Sequence, residues 1–187
     1  MIRRPPRSTQ SRSSAASDVY KRQDQRFVSQ FKLPNFYISI VIGGEWGYRS
    51  YNYWSNVIEL LLRDSNIQIV IIGSSNAKEA EEIIFNKLSD SNLISFVGKC
   101  SFNQSAQIIS KSMLVICCDG GLMHAANALE TIVIPMFARL EAKMQLTQSC
   151  KAYPLFDELN VNNISVEEII LKYHEVLNFD YKHLQNE

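Results

Sequence analysis

The sequence predicts an α/β fold: a Rossmann-like open parallel sheet of about five strands with helices on both faces. From residue 35 onward, short apolar runs alternate with amphipathic helical patterns, as in a sheet built by right-handed crossovers. The runs are apolar throughout rather than alternately polar and apolar, which indicates strands that are covered on both faces. Ligands in such sheets bind beyond the carboxyl ends of the strands.

The first half of this region predicts three strands, at 36–42, 67–72 and 93–97, and each is followed by glycine. Two amphipathic helical patterns lie between them, at 53–62 and 78–88, and the second carries acidic residues on its outer side. The order is therefore β-α-β-α-β.

The second half continues the alternation and adds two sequence signals for helix starts. Ser101 is a plausible N-cap, and Ser165 with Glu168 three residues later has the spacing of a capping box. The predicted elements are helices at 103–111 and 121–129, strands at 113–118 and 132–137, a helical or loop segment through Cys150, and a last helix opened by Ser165.

Residues 1–23 have no apolar period and almost no large aliphatic side chain, so we expect no contribution to a core. The sequence of these residues resembles translated sequencing-adapter or vector DNA, and we expect the domain proper to span 24–187. A transit peptide or a nucleic-acid-binding arm would also be basic and Ser-rich, but the adapter likeness is closer. This tail has six basic residues and one acidic residue, which leaves 13 basic and 18 acidic residues in the remainder.

The composition of the remainder excludes several classes of protein. An acidic body without a Lys/Arg stripe gives no footprint for nucleic acid. No apolar run reaches the roughly 18 to 20 residues of a membrane span, and no signal-peptide pattern occurs. The four cysteines show no ligand or C-x-x-C spacing, and His124, His174 and His183 are not spaced for one metal site.

The segment 119–126 reads D-G-G-L-M-H-A-A and directly follows the apolar run 113–118. A strand that turns into a helix through two glycines presents free backbone N–H groups and a positive dipole end at the sheet edge. Asp119 adds a carboxylate and His124 an imidazole. The sequence therefore predicts a phosphate or nucleotide site. The alternatives are an ordinary turn capped by Asp119 and an ordinary helix histidine.

Three ordered segments resemble glycosyltransferase family 9, which includes the ADP-heptose:lipopolysaccharide heptosyltransferases. Residues 119–126 are similar to the family hallmark. In order, its positions are Asp, then Ser or Thr, then Gly, a variable residue, Met or a similar residue, His, an apolar residue and Ala. F-V-G-K-C-S-F at 96–102 resembles the Gly-Lys-x-Ser/Thr-Leu segment of the family. I-G-G-E-W-G-Y-R-S-Y-N-Y-W at 42–54 resembles the segment in which a basic residue and a Trp begin the first helix. The likeness extends from Phe36 to Val176.

The resemblance implies the carboxyl-terminal half of a GT-B glycosyltransferase, which binds a nucleotide-diphospho-sugar donor such as ADP-heptose. It implies inverting transfer in lipopolysaccharide or other surface-glycan synthesis, with the general base and the acceptor site in an amino-terminal domain. We expect that domain to be missing before residue 24 and the isolated chain to be inactive. No catalytic residue, metal or cofactor is assigned, since the nucleotide-sugar is a substrate. A cytoplasmic location, peripheral at the inner membrane, follows from the resemblance alone.

The resemblance also implies the donor-binding residues. Backbone N–H groups of Gly120 and Gly121 would donate to the diphosphate, and Arg49 would neutralise a phosphate. Glu79, or Ala77 in another register, falls at the position of the family's acidic residue near the ribose. Trp54 is expected to anchor the core rather than stack on a base. The candidates are Arg49, Glu79, Lys99, Asp119, Gly120, Gly121 and His124. For Arg49 the alternative is an ordinary solvated loop arginine, and for Lys99 it is a loop residue positioned by Gly98.

Three positions depart from the family pattern. Gly120 stands where the family has Ser or Thr, so a side-chain donor to phosphate is lost. Glu130 replaces the Gly that often closes the helix, and Phe137-Ala138 replaces Phe-Gly after the fifth strand. We therefore expect a divergent member whose donor need not be ADP-heptose.

Two other classes are weighed against this interpretation. A dinucleotide-dependent oxidoreductase would carry G-x-G-x-x-G after the first strand, and G-G-E-W-G-Y does not fit. A non-catalytic or degenerate Rossmann-like module would bind no nucleotide at all. The sequence carries no signal for the sugar, the base, the acceptor or the oligomeric state.

Overall fold

The structure, a computed structural model, describes residues 32–64, 67–146 and 151–184 of the 187-residue chain. Its strands are β1 (Tyr37–Val41), β2 (Gln68–Ile72), β3 (Leu93–Ser95), β4 (Val115–Cys118), β5 (Val133–Ala138) and β6 (Leu155–Asp157). They form one sheet in the order β3-β2-β1-β4-β5-β6, and every neighbouring pair is parallel. The predicted parallel α/β fold is confirmed.

Helices follow the strands in the predicted order. They are α1 (Trp54–Asp64), α2 (Lys78–Lys87), α3 (Phe102–Ser110), α4 (Gly121–Ala128), α5 (Ala142–Gln145) and α6 (Val166–Leu184), with single 3-10 turns at Gly47–Arg49, Ser75–Ala77 and Val161–Asn163. Both expected caps are present. The Ser101 hydroxyl accepts a hydrogen bond from the Gln104 N–H, and Gln104 closes a capping box. Ser165 and Glu168 do the same at the start of α6.

The helices cover both faces of the sheet. On one face, α1, α2 and α6 contribute Trp54, Ile84 and Tyr173 to a buried apolar cluster. On the other face, α3 and α4 contribute Ile108 and Met123 to a second cluster. Coverage on both sides explains why the central strands are apolar at nearly every position.

Two neighbouring cysteines at the end of β4 point to opposite faces, as predicted for a strand. Cys117 lies in the cluster beneath α3 and α4, and Cys118 lies in the cluster beneath α1, α2 and α6. Cys100 is half-buried, and none of these three residues forms a disulfide. Cys150 lies outside the described residues.

The strand count differs from the prediction because β6 was missed. β6 has only three residues, lies at the edge of the sheet, and is only partly buried, with Phe156 44% exposed. It therefore lacks the buried apolar run that marks the other strands. β3 and β4 are also shorter than the predicted 93–97 and 113–118. Of the segment through Cys150, Ala142–Gln145 is helical, and residues 147–150 lie outside the described part.

The tail 1–23 lies outside the described residues, so the boundary at residue 24 stays a prediction. Within the three described ranges, no helix combines the length and the apolar character that crossing a bilayer requires.

Two glycines allow β1 and β2 to end against the same 3-10 turn. Gly43 has a φ of +89°, in the left-handed region. A Cβ at either Gly43 or Gly73 would lie 2.8 Å from the Cβ of Ala77, which is buried between them. The loops after β1 and β2 therefore pack closely together at the carboxyl edge of the sheet.

The Gly73→Ala substitution should destabilise the fold. The new Cβ would meet Ala77 Cβ at 2.8 Å and the Ile42 carbonyl oxygen at 2.9 Å, and such overpacking costs about 1–3 kcal/mol. Gly47→Ala is the control, since a Cβ there would meet nothing within 4 Å. Denaturant unfolding of both variants measures the difference. Equal stability of Gly73→Ala and the wild type would contradict the close packing.

Candidate functional site

A cleft of about 620 Å³ opens at the carboxyl edge of the sheet. The loops after β1, β2, β3 and β4 all contribute to its lining, and Gln145 from α5 adds to it. The loops after β1, β3 and β4 contain the three segments in which the sequence analysis found the family resemblance. They meet because parallel strands place all of their carboxyl ends on one side.

An ion pair crosses this cleft between the first and fourth loops. Arg49 Nη1 donates to Asp119 Oδ2 at 2.8 Å, although the two residues are 70 positions apart. The Asp119 side chain is 5% exposed and that of Arg49 is 27% exposed. The hydrogen bond with Asp119 raises the pKa of Arg49 above its usual value. Arg49 is therefore a fixed cation in the cleft wall rather than a freely solvated loop arginine.

The start of α4 forms another wall of the cleft. Gly120 occupies the N-cap position with an extended backbone, and no side chain caps the helix. Asp119 instead binds Arg49, so the turn capped by Asp119 that we considered from the sequence does not form. Gly121, Leu122 and Met123 line the cleft beside Gly120. The first N–H groups of a helix have no partner within it, and those of α4 are available to an anion.

The two glycines at this helix start have different surroundings. A Cβ at Gly120 would meet nothing within 4 Å, whereas a Cβ at Gly121 would come 3.2 Å from the Phe102 ring. Gly121 therefore makes room for Phe102, while Gly120 faces open space. The Ser or Thr that the family pattern has at this position would fit here without backbone change.

His124 lines the cleft one turn into α4. Its Nε2 lies 4.0 Å from Asp119 Oδ1, and its side chain is 48% exposed. The imidazole therefore lies beside the ion pair and is exposed enough to contact a ligand.

Glu79 and Lys99 lie outside this cleft. Glu79 lines a neighbouring cavity of about 330 Å³ that shares Gly43 and Gly44 with the cleft. Lys99 Nζ donates to the Ser95 carbonyl oxygen at 3.0 Å. The donor roles of both residues stay predictions.

Ala77 and Trp54, which the sequence analysis also discussed, are both buried. Ala77 packs on the glycines that end β1 and β2, so that position presents a methyl group to the protein interior. Trp54 is 2% exposed and packs edge-on against Tyr51, as expected for a core anchor.

Sequence reasoning missed several residues of the cleft wall. Ser74 and Asn76 line it from the loop after β2, and Asn76 Nδ2 donates to the Gly44 carbonyl oxygen at 3.2 Å. Cys100 and Phe102 line it from the 96–102 segment, which the sequence analysis quoted without assigning them a role. Their only signal was their position beside predicted strand ends.

The loop that carries Arg49 is held by the last part of the chain. Asn162 Oδ1 accepts from the Asn52 N–H at 2.8 Å, and Asn162 Nδ2 donates to the Ser50 carbonyl oxygen at 2.9 Å. Tyr51 also donates its hydroxyl to the Ile164 carbonyl oxygen at 3.0 Å. The 3-10 turn Val161–Asn163 thus fixes the chain directly after Arg49.

The sheet order defines a Rossmann-like α/β protein, and its cleft lies at the carboxyl edge of the sheet, where proteins of this fold class bind ligands. The sequence model of glycosyltransferase family 9 (heptosyltransferase) matches residues 7–161. The chain therefore belongs to this family, and the resemblance seen in the sequence is confirmed. The match includes part of the 1–23 segment that we set apart from the domain. A comparison with curated proteins finds no match.

Solved structures of family members share this fold. E. coli ADP-heptose lps heptosyltransferase II has a TM-score of 0.72 at 17% identity, over 89% of this chain and 52% of that one. The glycosyl transferase family 9 protein of Veillonella parvula DSM 2008 has a TM-score of 0.72 at 16% identity, over 85% and 51%. E. coli heptosyltransferase WaaC with ADP has a TM-score of 0.68 at 15% identity, over 80% and 47%. The chain spans about half the length of these proteins.

Thiol alkylation should distinguish Cys100 from the two cysteines of β4. Burial raises the pKa of Cys118 to about 12 and raises that of Cys117 well above its usual value. Because the thiolate is the reactive form, both should resist alkylation in the native chain, while half-buried Cys100 reacts first of the three. Peptide mass mapping after treatment at pH 8 measures this, with the unfolded chain as the control. Native labelling of Cys117 would contradict the buried position of β4.

Proposed function

We propose that this domain binds the diphosphate of a nucleotide-diphospho-sugar, as the donor half of an inverting, heptosyltransferase-type glycosyltransferase. The observation that carries the proposal is the fixed Arg49 guanidinium, which shares one cleft with the uncapped start of α4. A cation and a set of free N–H groups are two kinds of donor that favour the binding of a diphosphate. Family membership supports the same ligand class.

The charge of Asp119 fits this role because it is already compensated. A bare carboxylate beside the helix start would repel a phosphate, but Asp119 is bound to Arg49. The pair therefore holds the guanidinium in place, and the remaining N–H groups of Arg49 can serve the ligand. In transfer, the same groups would stabilise the diphosphate as it leaves the sugar.

The general base for the acceptor hydroxyl would come from outside this domain. Asp119 is buried against Arg49, which makes it a positioning residue rather than a base open to an acceptor. We therefore assign binding of the acceptor and its deprotonation to a further domain, and expect no sugar transfer by this chain alone. The acceptor would belong to lipopolysaccharide or another surface glycan.

ADP-heptose is the first donor to test. Two of the solved relatives are described as an ADP-heptose lps heptosyltransferase and a heptosyltransferase with ADP. UDP and GDP belong beside ADP, because the departure at Gly120 and the position of Glu79 indicate a divergent site.

The alternative is a degenerate Rossmann-like module without nucleotide binding. One observation favours it: neither Glu79 nor Ala77 brings a carboxylate into the main cleft, where the resemblance implies a ribose contact. If the chain is such a module, it folds as described above and binds no nucleoside diphosphate.

Calorimetric titration of the 187-residue chain with ADP, UDP and GDP, and then their sugar conjugates, tests the proposal. We expect saturable binding of one diphosphate. Arg49→Ala should weaken that binding about 10- to 100-fold, because charged hydrogen bonds contribute about 1.5–3 kcal/mol. Asp119→Ala should weaken it about tenfold, because Arg49 then loses its anchor.

Arg63→Ala is the matched control for these variants. Arg63 is an exposed arginine that pairs with Glu59 on α1, and it does not line the cleft. Its removal should leave the affinity unchanged. A folded chain that gives no heat with any of the nucleotides would establish the degenerate module instead.

The Gly120→Ser substitution should tighten diphosphate binding about three- to tenfold, because it adds a hydroxyl donor in open space beside the phosphate position. Gly121→Ser is the matched control, since its Cβ would press on Phe102 and should weaken binding or stability. The same titration measures both variants. An unchanged or lower affinity of a folded Gly120→Ser chain would place the diphosphate elsewhere in the cleft.

A further inference from the structure

Arg139 is a residue to which neither the family resemblance nor the proposed function gives a role. It directly follows β5 and has a φ of +68°, in the left-handed region. Residues other than glycine rarely adopt this conformation, and in arginine it costs about 1 kcal/mol or more. A strained backbone of this kind persists where surrounding contacts hold it. Here the Arg139 backbone N–H donates to the Asp157 carbonyl oxygen at 3.3 Å, and the side chain makes further contacts.

The guanidinium of Arg139 stacks on Tyr48. Its central carbon lies 3.9 Å from the centre of the Tyr48 ring, which is close for a cation–π contact. Arg139 Nε also donates to the Leu159 carbonyl oxygen at 3.3 Å. The planar group is therefore held both by the ring and by the segment after β6.

Tyr48 connects Arg139 with the ion pair of the cleft. It lies in the 3-10 turn Gly47–Arg49, directly before Arg49. The central carbon of the Arg49 guanidinium lies 5.6 Å from the same ring. Contacts therefore run without a gap from Arg139 through Tyr48 to Arg49, and from there to Asp119 at 2.8 Å.

We propose that Arg139 is a positioning residue of the donor site. By stacking on Tyr48, it fixes the Gly47–Arg49 turn so that the Arg49 guanidinium stays on Asp119 at the cleft wall. The effect on ligand affinity rests on the proposed function, whereas the effect on Arg49 itself does not. Lysine cannot replace Arg139, because it lacks both the planar group and the Nε donor.

The first test observes Arg49 without any ligand, by ¹⁵N NMR of the full chain. The Nη–H signal of Arg49, from the group that donates to Asp119, is assigned as the arginine signal that Arg49→Ala removes. In the wild type we expect it to be shifted and protected from solvent exchange. Arg139→Gly should move it toward the position and exchange rate of a solvated arginine, as Asp119→Ala does. An unchanged Arg49 signal in Arg139→Gly would overturn the proposal.

The glycine substitution separates positioning from stability. Glycine adopts a φ of +68° without strain, so Arg139→Gly should keep or raise the melting temperature while it releases Arg49. Glu130→Gly is the matched control: Glu130 also has a positive φ, +59°, and lies outside the cleft lining. It should relieve the same kind of strain without moving the Arg49 signal.

Tyr48 provides a second pair of variants. Tyr48→Phe keeps the ring and should keep the Arg49 signal, whereas Tyr48→Leu removes the ring and should reproduce Arg139→Gly. An equal effect of both substitutions would overturn the role of the stacking contact.

The second test measures affinity for whichever of ADP, UDP and GDP binds the wild type most tightly. Arg139→Gly should weaken binding about fivefold. The Arg139→Lys variant should also bind less tightly than the wild type. In an Arg49→Ala background, Arg139→Gly should have no further effect, because Arg139 acts through Arg49. Additive losses would show that Arg139 touches the ligand itself and would overturn positioning. If no diphosphate binds the wild type, the proposed function fails, and the NMR test still decides the role of Arg139.

Discussion

The site depends on one interaction, the ion pair between Arg49 and Asp119. The parallel pairing of β1 with β4, from Ser39 opposite Val115 to Val41 opposite Cys117, brings their loops together across 70 residues of sequence. Each partner needs the other. Without the carboxylate, Arg49 would move freely in solvent, and without the guanidinium, Asp119 would place an uncompensated negative charge where an anion is expected to bind. In the proposed function, a cleft that contains a buried carboxylate would accept a diphosphate only while this pair is formed.

The strands beyond β4 support this pair from the side. Arg139 after β5 stacks on Tyr48, which precedes Arg49, and Asn162 after β6 binds the backbone that follows Arg49. The loop is therefore restrained on both sides of Arg49. This explains why the short edge strand β6 matters to the site although it contributes little to the core: its position determines where Asn162 lies.

The sequence predicted what depends on local pattern and missed what depends on contacts across the fold. Apolar runs located five strands, and Ser101 and Ser165 marked two helix starts, because these signals lie within a few residues of the elements they define. β6 was missed because it is short and partly exposed. The choice between Ala77 and Glu79 could not be made from one sequence, since it depends on how Ala77 packs against Gly43 and Gly73. Arg139 gave no sequence signal, because its partner Tyr48 lies 91 positions earlier in the chain.

The charges of the cleft indicate how an anion would be held. Among the described residues that line it, Arg49 is the one with a permanent positive charge, and Glu45 and Asp119 are acidic. These side chains together give the empty cleft no strong positive field to attract a diphosphate from a distance. Binding would then depend on short-range donors, namely the unpaired N–H groups at the start of α4 and the free side of the Arg49 guanidinium. Such donors act only at the correct distance and angle. The orientation of Arg49, rather than the total charge of the domain, is thus the property that the surrounding contacts preserve.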